Sequence, residues 1–503
     1  MTQKLVGFIG QAYSLIAKQI NAQRMVNLYP ELDESGSAKE GQIAYLKGTD
    51  GYNQIMTLGS GAIRLIHFDG LQNDDGTYLQ LNRIFVVSGN QVFRLTYDSD
   101  GWHTLLLGTL GTSTGSVSAA SLSIDYGVTI FVDGSNDNYV YHKTDTVTET
   151  FQTFAAAGYS GLPRATQVYW LDGFIIWISK NSNKFYISQW NTITVDPLDF
   201  ASAEGDPDNI VAVISNHRDL WLLNERSIEI FTNTGNGDFP FERVQGGFIE
   251  NGCLAPSSVC KISGLVFWLG RDRNGQGIVY ASASANHQRI STHAIEYAID
   301  SYKDPQNATA YAYQKDGHIF YCLNFAETTW CYDLTTKMWH ERCYTNDGAL
   351  ERHRAEWVTF YPNYGQHIFG DYSNGNIYAF NENTFTDNGT PITRLRSSPH
   401  LSNNRSLLLF KKFELDMQFG VGLDGSFSAV GADPKVMMRF SDDGGFTWSN
   451  ERWQSFGKIG EYVKRVRYML LGMGRDRVFE VRITDPVKVI ILAAEIDVQA
   501  CNR

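Results

Sequence analysis

The sequence predicts a mostly β protein: a six- or seven-bladed β-propeller over residues 41–387, followed by a jelly-roll-like β-sandwich over residues 388–503. Three observations predict it. Apolar strand cores recur at an even spacing, the composition favours short strands and tight turns, and the repeat stops after about Asp387.

The repeat comes first. Its cores are Ile84-Phe85-Val86-Val87, Ile130-Phe131-Val132, Phe174-Ile175-Ile176-Trp177, Leu220-Trp221-Leu222-Leu223, Leu265-Val266-Phe267-Trp268, Ile319-Phe320-Tyr321-Cys322 and Ile368-Phe369-Gly370. The spacing is about 45 residues for the first five and about 50 for the last two, the period of four-stranded propeller blades. Short polar turns such as Leu171-Asp172-Gly173 and Gln314-Lys315-Asp316-Gly317 precede the cores. Alternating strands with an aromatic follow, as in Asn138-Tyr139-Val140-Tyr141 and Asn376-Ile377-Tyr378-Ala379-Phe380. A single blade cannot bury its own faces, so neighbours bury them for each other around a closed ring.

Composition agrees. Of 503 residues, 13% are aromatic, and 46 glycines stand against 12 prolines. Aromatic and β-branched residues suit pleated, half-buried surfaces, and Gly with Asn or Asp supplies the turns. Helix is expected in two places only, around Ala12 to Ala22 and over His293 to Tyr302. No apolar run is long enough to span a membrane. The N-terminus lacks a convincing cleavage site and reads as mature sequence.

After Asp387 longer alternating strands replace the repeat. Arg477 to Ile483 sets Phe479, Val481 and Ile483 on one face against Glu480 and Arg482 on the other, the pattern of a half-buried strand. Phe410 to Phe419 and Lys435 to Phe440 read alike. Residues 1–40 also lie outside the repeat and are expected to form an arm packed on another domain or subunit.

Motifs for chemistry are weak. Ser441-Asp442-Asp443-Gly444-Gly445-Phe446-Thr447-Trp448 is a single Asp-box, a turn in which Asp and Ser satisfy backbone groups and Trp packs beneath. Gly111-Thr112-Ser113-Thr114-Gly115 fits G-x-S-x-G without the strand-then-helix context of a nucleophile elbow. The eleven histidines are scattered, and His353, near Glu351 and Glu356, does not form a metalloprotease motif. Acid pairs such as Asp206 and Asp208 sit in turn-like stretches. The six cysteines contain no CxxC, so no zinc site is indicated; Cys322 and Cys331, facing across a hairpin, read as reduced core residues. Lys464-Arg465-Val466-Arg467 with Arg475 and Arg477 is locally basic and reads as one solvated strand face. Catalytic, cofactor and metal residues are therefore not expected. A net charge of −12 argues against a generic nucleic-acid binder, although an acidic lumen would let DNA slide without sticking.

Several strings resemble one family. Ala22-Gln23-Arg24-Met25-Val26-Asn27-Leu28-Tyr29-Pro30-Glu31 carries the strongest local likeness. Asp206 to Ile210 through Arg226-Ser227-Ile228-Glu229-Ile230-Phe231, Gly252 to Ser257, and Ile295-Glu296 with Ser301-Tyr302 follow in order. So do Trp448 to Glu451, Gly457 to Glu461 and Arg475-Asp476-Arg477-Val478-Phe479. From about residue 20 to the end the chain resembles the packaged-DNA stabilisation, or tail hub (nozzle), proteins of short-tailed Salmonella-type bacteriophages; residues 70–165 match in general pattern only.

The resemblance implies a non-enzymatic virion tail protein, assembled in the host bacterial cytoplasm. It implies a homo-hexamer ring below the portal's adaptor ring, contacts to tailspike or fibre and needle or plug proteins, and phage DNA passing through the lumen without sequence-specific binding. The matching strings contain Arg24, Asn27, Tyr29, Glu229, Tyr302, Trp448 and Arg477, which with Asp443 of the Asp-box turn are the expected assembly or structural residues. Two alternatives are a sialidase-like tail propeller, suggested by the Asp-box, and a glycan-binding propeller that stacks sugars on aromatic loops such as Trp330 to His340.

Overall fold

Each of the seven apolar cores becomes the second strand of a four-stranded antiparallel unit in the computed structural model. The structure describes residues 2–15, 17–32, 44–70, 83–145, 147–237, 239–271, 275–425 and 430–501. Six blades are wound from four consecutive strands each, beginning at Ile63–Asp69, Ser118–Leu122, Ala165–Leu171, Ile210–Asn216, Cys260–Ile262 and Thr309–Lys315. A seventh unit takes Ala355–Tyr361, Gln366–Asp371 and Asn376–Asn381 and borrows its fourth strand, Gly51–Thr57, from the other end of the chain.

The second strands have neighbours on both faces, which explains their unbroken apolar runs. Ile84, Phe85, Val86 and Val87 are all fully buried, as are Ile175, Ile176, Trp177 and Ile178. The turns follow from local chemistry. Asp172 and Gly173, with φ of 51° and 86°, form a two-residue hairpin turn; Asp316 and Gly317, at 49° and 81°, form another. Positive φ at both positions matches the right-handed twist of the flanking strands.

Around the axis, the inner strand of each unit neighbours that of the next, and Ala355–Tyr361 returns to Ile63–Asp69. Borrowing Gly51–Thr57 pins this closure. Tyr52 lies fully buried against Phe369 and Tyr378, with ring centroids 5.0 and 4.8 Å away.

The C-terminal region packs two sheets face to face. One sheet runs Val466–Met469, Leu408–Met417, Ile490–Ala500, Ala44–Gly48, Leu28–Leu32, with Thr2–Lys4 added on Ile490–Ala500. The other continues directly from the outer strand of the sixth blade: Met338–Asn346, Met25–Val26, Arg394–Ser397, Asp476–Ile483, Lys435–Ser441, Arg452–Ser455. Phe413 stacks on Phe479 at 4.7 Å between them, with Phe410, Leu415, Met438 and Val481 buried alongside.

Three expectations change, and one boundary falls outside the described residues. Helix forms over His293–Ser301, where Thr292 caps by accepting from the Ile295 amide, but the stretch from Ala12 is a small hairpin, Tyr13–Ser14 paired with Ala22–Gln23. Its strands pair with each other and rest on the His293–Ser301 helix and on Arg394–Ser397, contacts that outweigh a modest helical pattern. The boundary at 40/41 lies outside the described residues; Ala44–Gly48 belongs to a sandwich sheet, so the first described propeller strand is Gly51–Thr57. The Arg477–Ile483 strand is not half-buried, because Glu480 is covered as well, held by Arg439 at 2.5 Å. Finally, Trp330, Tyr332, Trp339 and His340 are buried strand residues, not a sugar-stacking loop.

Replacing Tyr52 by Ala removes a large buried ring from the closing strand. The expected cost is about 3–5 kcal/mol, read as a lower urea midpoint for propeller unfolding.

Candidate functional site

The junction between propeller and sandwich is built on the short strand Met25–Val26. It pairs in parallel with Glu341 of the sixth blade on one side and antiparallel with Leu395 and Arg396 on the other. A strand with two partners has both edges satisfied, so the propeller sheet runs on into the sandwich without an exposed edge.

Asn27 fixes the register. Its backbone takes the left-handed conformation, φ 52°, which Asn tolerates better than most residues. The side chain accepts from the Cys343 amide and donates to the carbonyls of Cys343 and Thr393, each at 2.9 Å. Its backbone amide donates to Glu341, and its carbonyl accepts from Thr49. One fully buried residue thus ties the sixth blade, the N-terminal segment and the start of the sandwich together.

Its neighbours add charge and packing. Arg24 grips Glu341 with a two-pronged pair, Nε to Oε1 at 3.1 Å and Nη2 to Oε2 at 2.6 Å. Tyr29 sits edge-on to His318 and Phe320, at 5.1 and 5.3 Å.

A residue that the sequence reading passed over is equally central. Arg396 is fully buried, and its guanidinium donates to the carbonyls of Gly7, Phe8, Gln11 and Arg24 and to Gln23 Oε1. No carboxylate pairs with it in these contacts; oxygen dipoles take the place of a counter-ion, and burial pushes its pKa down to about 9. Its only signal in the sequence is the pair of arginines on either side of Leu395 in a short strand, Arg394-Leu395-Arg396.

The remaining expected residues do not join this cluster. Glu229 lies buried in the fourth blade, accepting from the Gly205 amide at 2.7 Å and paired with Arg243 at 2.5 Å; burial raises its pKa. Tyr302 ends the helix and accepts from Trp330 Nε1 at 3.0 Å. Asp443 and Trp448 shape the turn after Lys435–Ser441. Asp443 accepts from Ser441, from the Phe446 and Thr447 amides and from the Thr447 hydroxyl, which holds its pKa well below the usual carboxylate range. Trp448 lies under the Arg439 guanidinium at 4.6 Å.

Arg477 is buried, not part of a solvated face. It binds Asp442 at 2.6 and 2.7 Å, donates to Leu471 O at 2.6 Å and covers Phe440 at 3.9 Å. Arg465 and Arg467 share Glu414 Oε1 at 2.7 and 2.8 Å.

The candidate catalytic motifs are occupied by structure. In the Gly111–Gly115 loop the carbonyls of Thr112, Thr114 and Gly115 accept from Arg64, and no helix follows. Asp208 caps the Arg226 and Ser227 amides. Cys322 and Cys331 face each other as buried free thiols. Among the described residues no group of three His, Cys, Asp or Glu could hold a metal ion. A cavity of about 460 Å³ on the propeller axis is lined by the inner strands, with Lys261 but no carboxylate or histidine. Glycoside cleavage needs two carboxyl groups flanking one bond, and the lining of this cavity offers none. Among the described residues no helix is long and apolar enough to cross a membrane.

A closed propeller and a sandwich fused to it through a shared sheet define a mostly β protein of two joined parts. The chain belongs to the bacteriophage P22 Gp10 family: the family's β-propeller model matches residues 17–385 and its β-sandwich model residues 393–499. This is a structural protein family of the phage virion tail, the P22 tail nozzle and DNA-stabilisation family. No curated protein matches the chain. Among solved structures, YCF48 from Cyanidioschyzon merolae is 10% identical over 66% of this chain and 98% of its own, with a TM-score of 0.41. YCF48 bound to D1 peptide (10% identity, 66% and 97% coverage, TM-score 0.39) and the AfRom2 CNH domain (8%, 66% and 99%, 0.37) are similar to the same extent. Likeness at this level carries no functional argument.

Two measurements test the junction. Asn27→Ala forces an alanine into the left-handed region and leaves the Cys343 amide without its acceptor, at an expected cost of about 2–4 kcal/mol; Asn27→Gly removes the backbone strain and should cost less, as read by denaturant titration. His340 is buried beside Tyr29 and Phe320, and burial lowers its pKa from 6.5 to about 3. The folded state keeps this ring neutral while the unfolded state takes up a proton, so its contribution to stability is full above pH 6.5 and is lost as pH falls toward 3. His340→Phe should therefore show a smaller drop in melting temperature between pH 7 and pH 5 than the wild type.

Proposed function

We propose that this chain is a nozzle subunit of a short-tailed phage. Copies form a homo-hexamer ring below the portal's adaptor ring, close the channel after DNA packaging and form part of the ejection conduit. Tailspike or fibre and needle or plug proteins attach to that ring, which assembles in the host cytoplasm. The observation that carries this reading is the ordered family match along nearly the whole chain, propeller then sandwich.

The structure supports it in two ways. The internal ties make a stiff body, suited to bearing load. The propeller axis holds a cavity of about 460 Å³ closed in by the inner strands of its own blades, and the reading places the DNA outside it. A DNA conduit therefore requires several copies around a larger opening, the arrangement that closed, head-to-tail rings provide. An overall charge of −12 suits a wall along which phosphates slide.

The glycan-hydrolysing and glycan-binding alternatives lose their support, because the Asp-box is a self-satisfied turn and the Trp330–His340 aromatics are buried.

Quantitative mass spectrometry of purified particles tests the reading. About six copies per particle are expected for one ring; absence from the particle overturns it, and about eighteen indicates a set of trimeric spikes or fibres instead.

A further inference from the structure

Charge is divided unevenly along this chain. Residues 388–503 hold 17 Lys and Arg against 13 Asp and Glu, and residues 1–50, whose strands join the sandwich sheets, hold 5 of each; residues 51–387 hold 20 against 36. A positive sandwich is thus fused to a strongly negative propeller.

The sandwich's positive charge gathers on residues 451–475, with six Lys or Arg and two Glu; Arg465 and Arg467 share Glu414 and Lys464 pairs with Glu461, which leaves the border in net positive excess. This stretch crosses between the two sheets at their open edges, from Arg452–Ser455 to Val466–Met469. Arg452 donates to Met469 O at 2.9 Å and ties the two edges side by side. Along this border Trp453, Ile459, Tyr462, Val463, Leu470 and Met473 are each more than half exposed. Two adjacent sheet edges flanked by apolar side chains are a surface that proteins cover.

The counterpart lies across the propeller. Arg452–Ser455 ends a sheet that starts in the sixth blade, and the second and third blades stand on the far side of the ring from that blade. The turns joining first to second and third to fourth strands lie on one face. On the second and third blades these turns carry Asp125, Asp145, Asp172, Asp196 and Asp199, with no Lys or Arg. Val147, Trp190 and Leu198 on the same turns are 85%, 69% and 80% exposed. Arg218 of the fourth blade pairs with Asp172 at 3.0 Å and His142 with Asp125 at 2.8 Å, so Asp145, Asp196 and Asp199 carry the acidic surround of this apolar surface; the sandwich border is apolar with a basic one.

We infer that the 451–475 border of one copy docks on the turns of the second and third blades of the next copy, head to tail. The occupant is a second copy because this chain carries both halves, opposite in charge, on opposite sides of the body. Two different patches that pair head to tail generate a ring when the rotation closes. The inference deepens the ring reading above and rests on it.

Charge exchange tests it. Val147→Lys with Leu198→Lys puts like charge into the acidic patch at exposed positions. Lys458→Glu with Lys464→Glu does the same to the basic border. Each double variant should fall about tenfold in copies incorporated per particle, with an unchanged denaturation midpoint, and the variant carrying all four changes should recover most of the loss. Full incorporation of both double variants overturns the proposal. So does a loss on the sandwich side that no propeller change reproduces or repairs, which assigns the border to another tail protein. In either case, wild-type particles with about six copies keep the ring reading and particles with none end it, so the two failures stay distinct.

Discussion

The hydrogen-bond node at Asn27 is where propeller and sandwich become one body. Its side chain reads both the sixth blade and the first strand of the sandwich, and its left-handed backbone turns the chain from Met25–Val26 into Leu28–Leu32. Those two strands belong to opposite sheets of the sandwich, so the corner at Asn27 places the N-terminal segment in both. A few residues further on, Gly51–Thr57 closes the propeller ring. One N-terminal stretch therefore completes two sandwich sheets and the last blade, and the chain's beginning is held by partners more than 300 residues away.

Buried arginines reinforce this arrangement. Arg396 meets backbone carbonyls from the N-terminal segment, and Arg477 meets Asp442 and three aromatic faces inside the sandwich. A buried guanidinium is costly unless its donors are met. It therefore tolerates few alternative positions for its partners. This specifies a single docking of the N-terminal segment more sharply than apolar packing, which accepts many registers. Stiffness of this kind suits a structural protein of a phage tail.

The period of the repeat was legible because a blade's second strand has neighbours on both faces and must be apolar throughout. All seven predicted cores occupy that position. The Asp172-Gly173 and Asp316-Gly317 turns were legible because few residue pairs adopt positive φ twice in succession. The Asp443 turn was equally legible, since its bonds are all local. The string around Arg24, Asn27 and Tyr29 drew attention by resemblance, but nothing local in it announced a strand shared by two domains.

What stayed hidden is non-local. The partners of Asn27 at Cys343 and Thr393, the carbonyl cage of Arg396 and the borrowing of Gly51–Thr57 by the seventh unit join residues that share no neighbourhood in the chain. Trp330 to His340 looked like an aromatic loop because its burial depends on a helix and a sandwich contributed from elsewhere. Alternation and turn chemistry are local properties, so one chain declares them residue by residue. Which strand lies beside which, and which polar group answers a buried charge, is set by long-range closure of the chain, and that became visible only once the strands were packed.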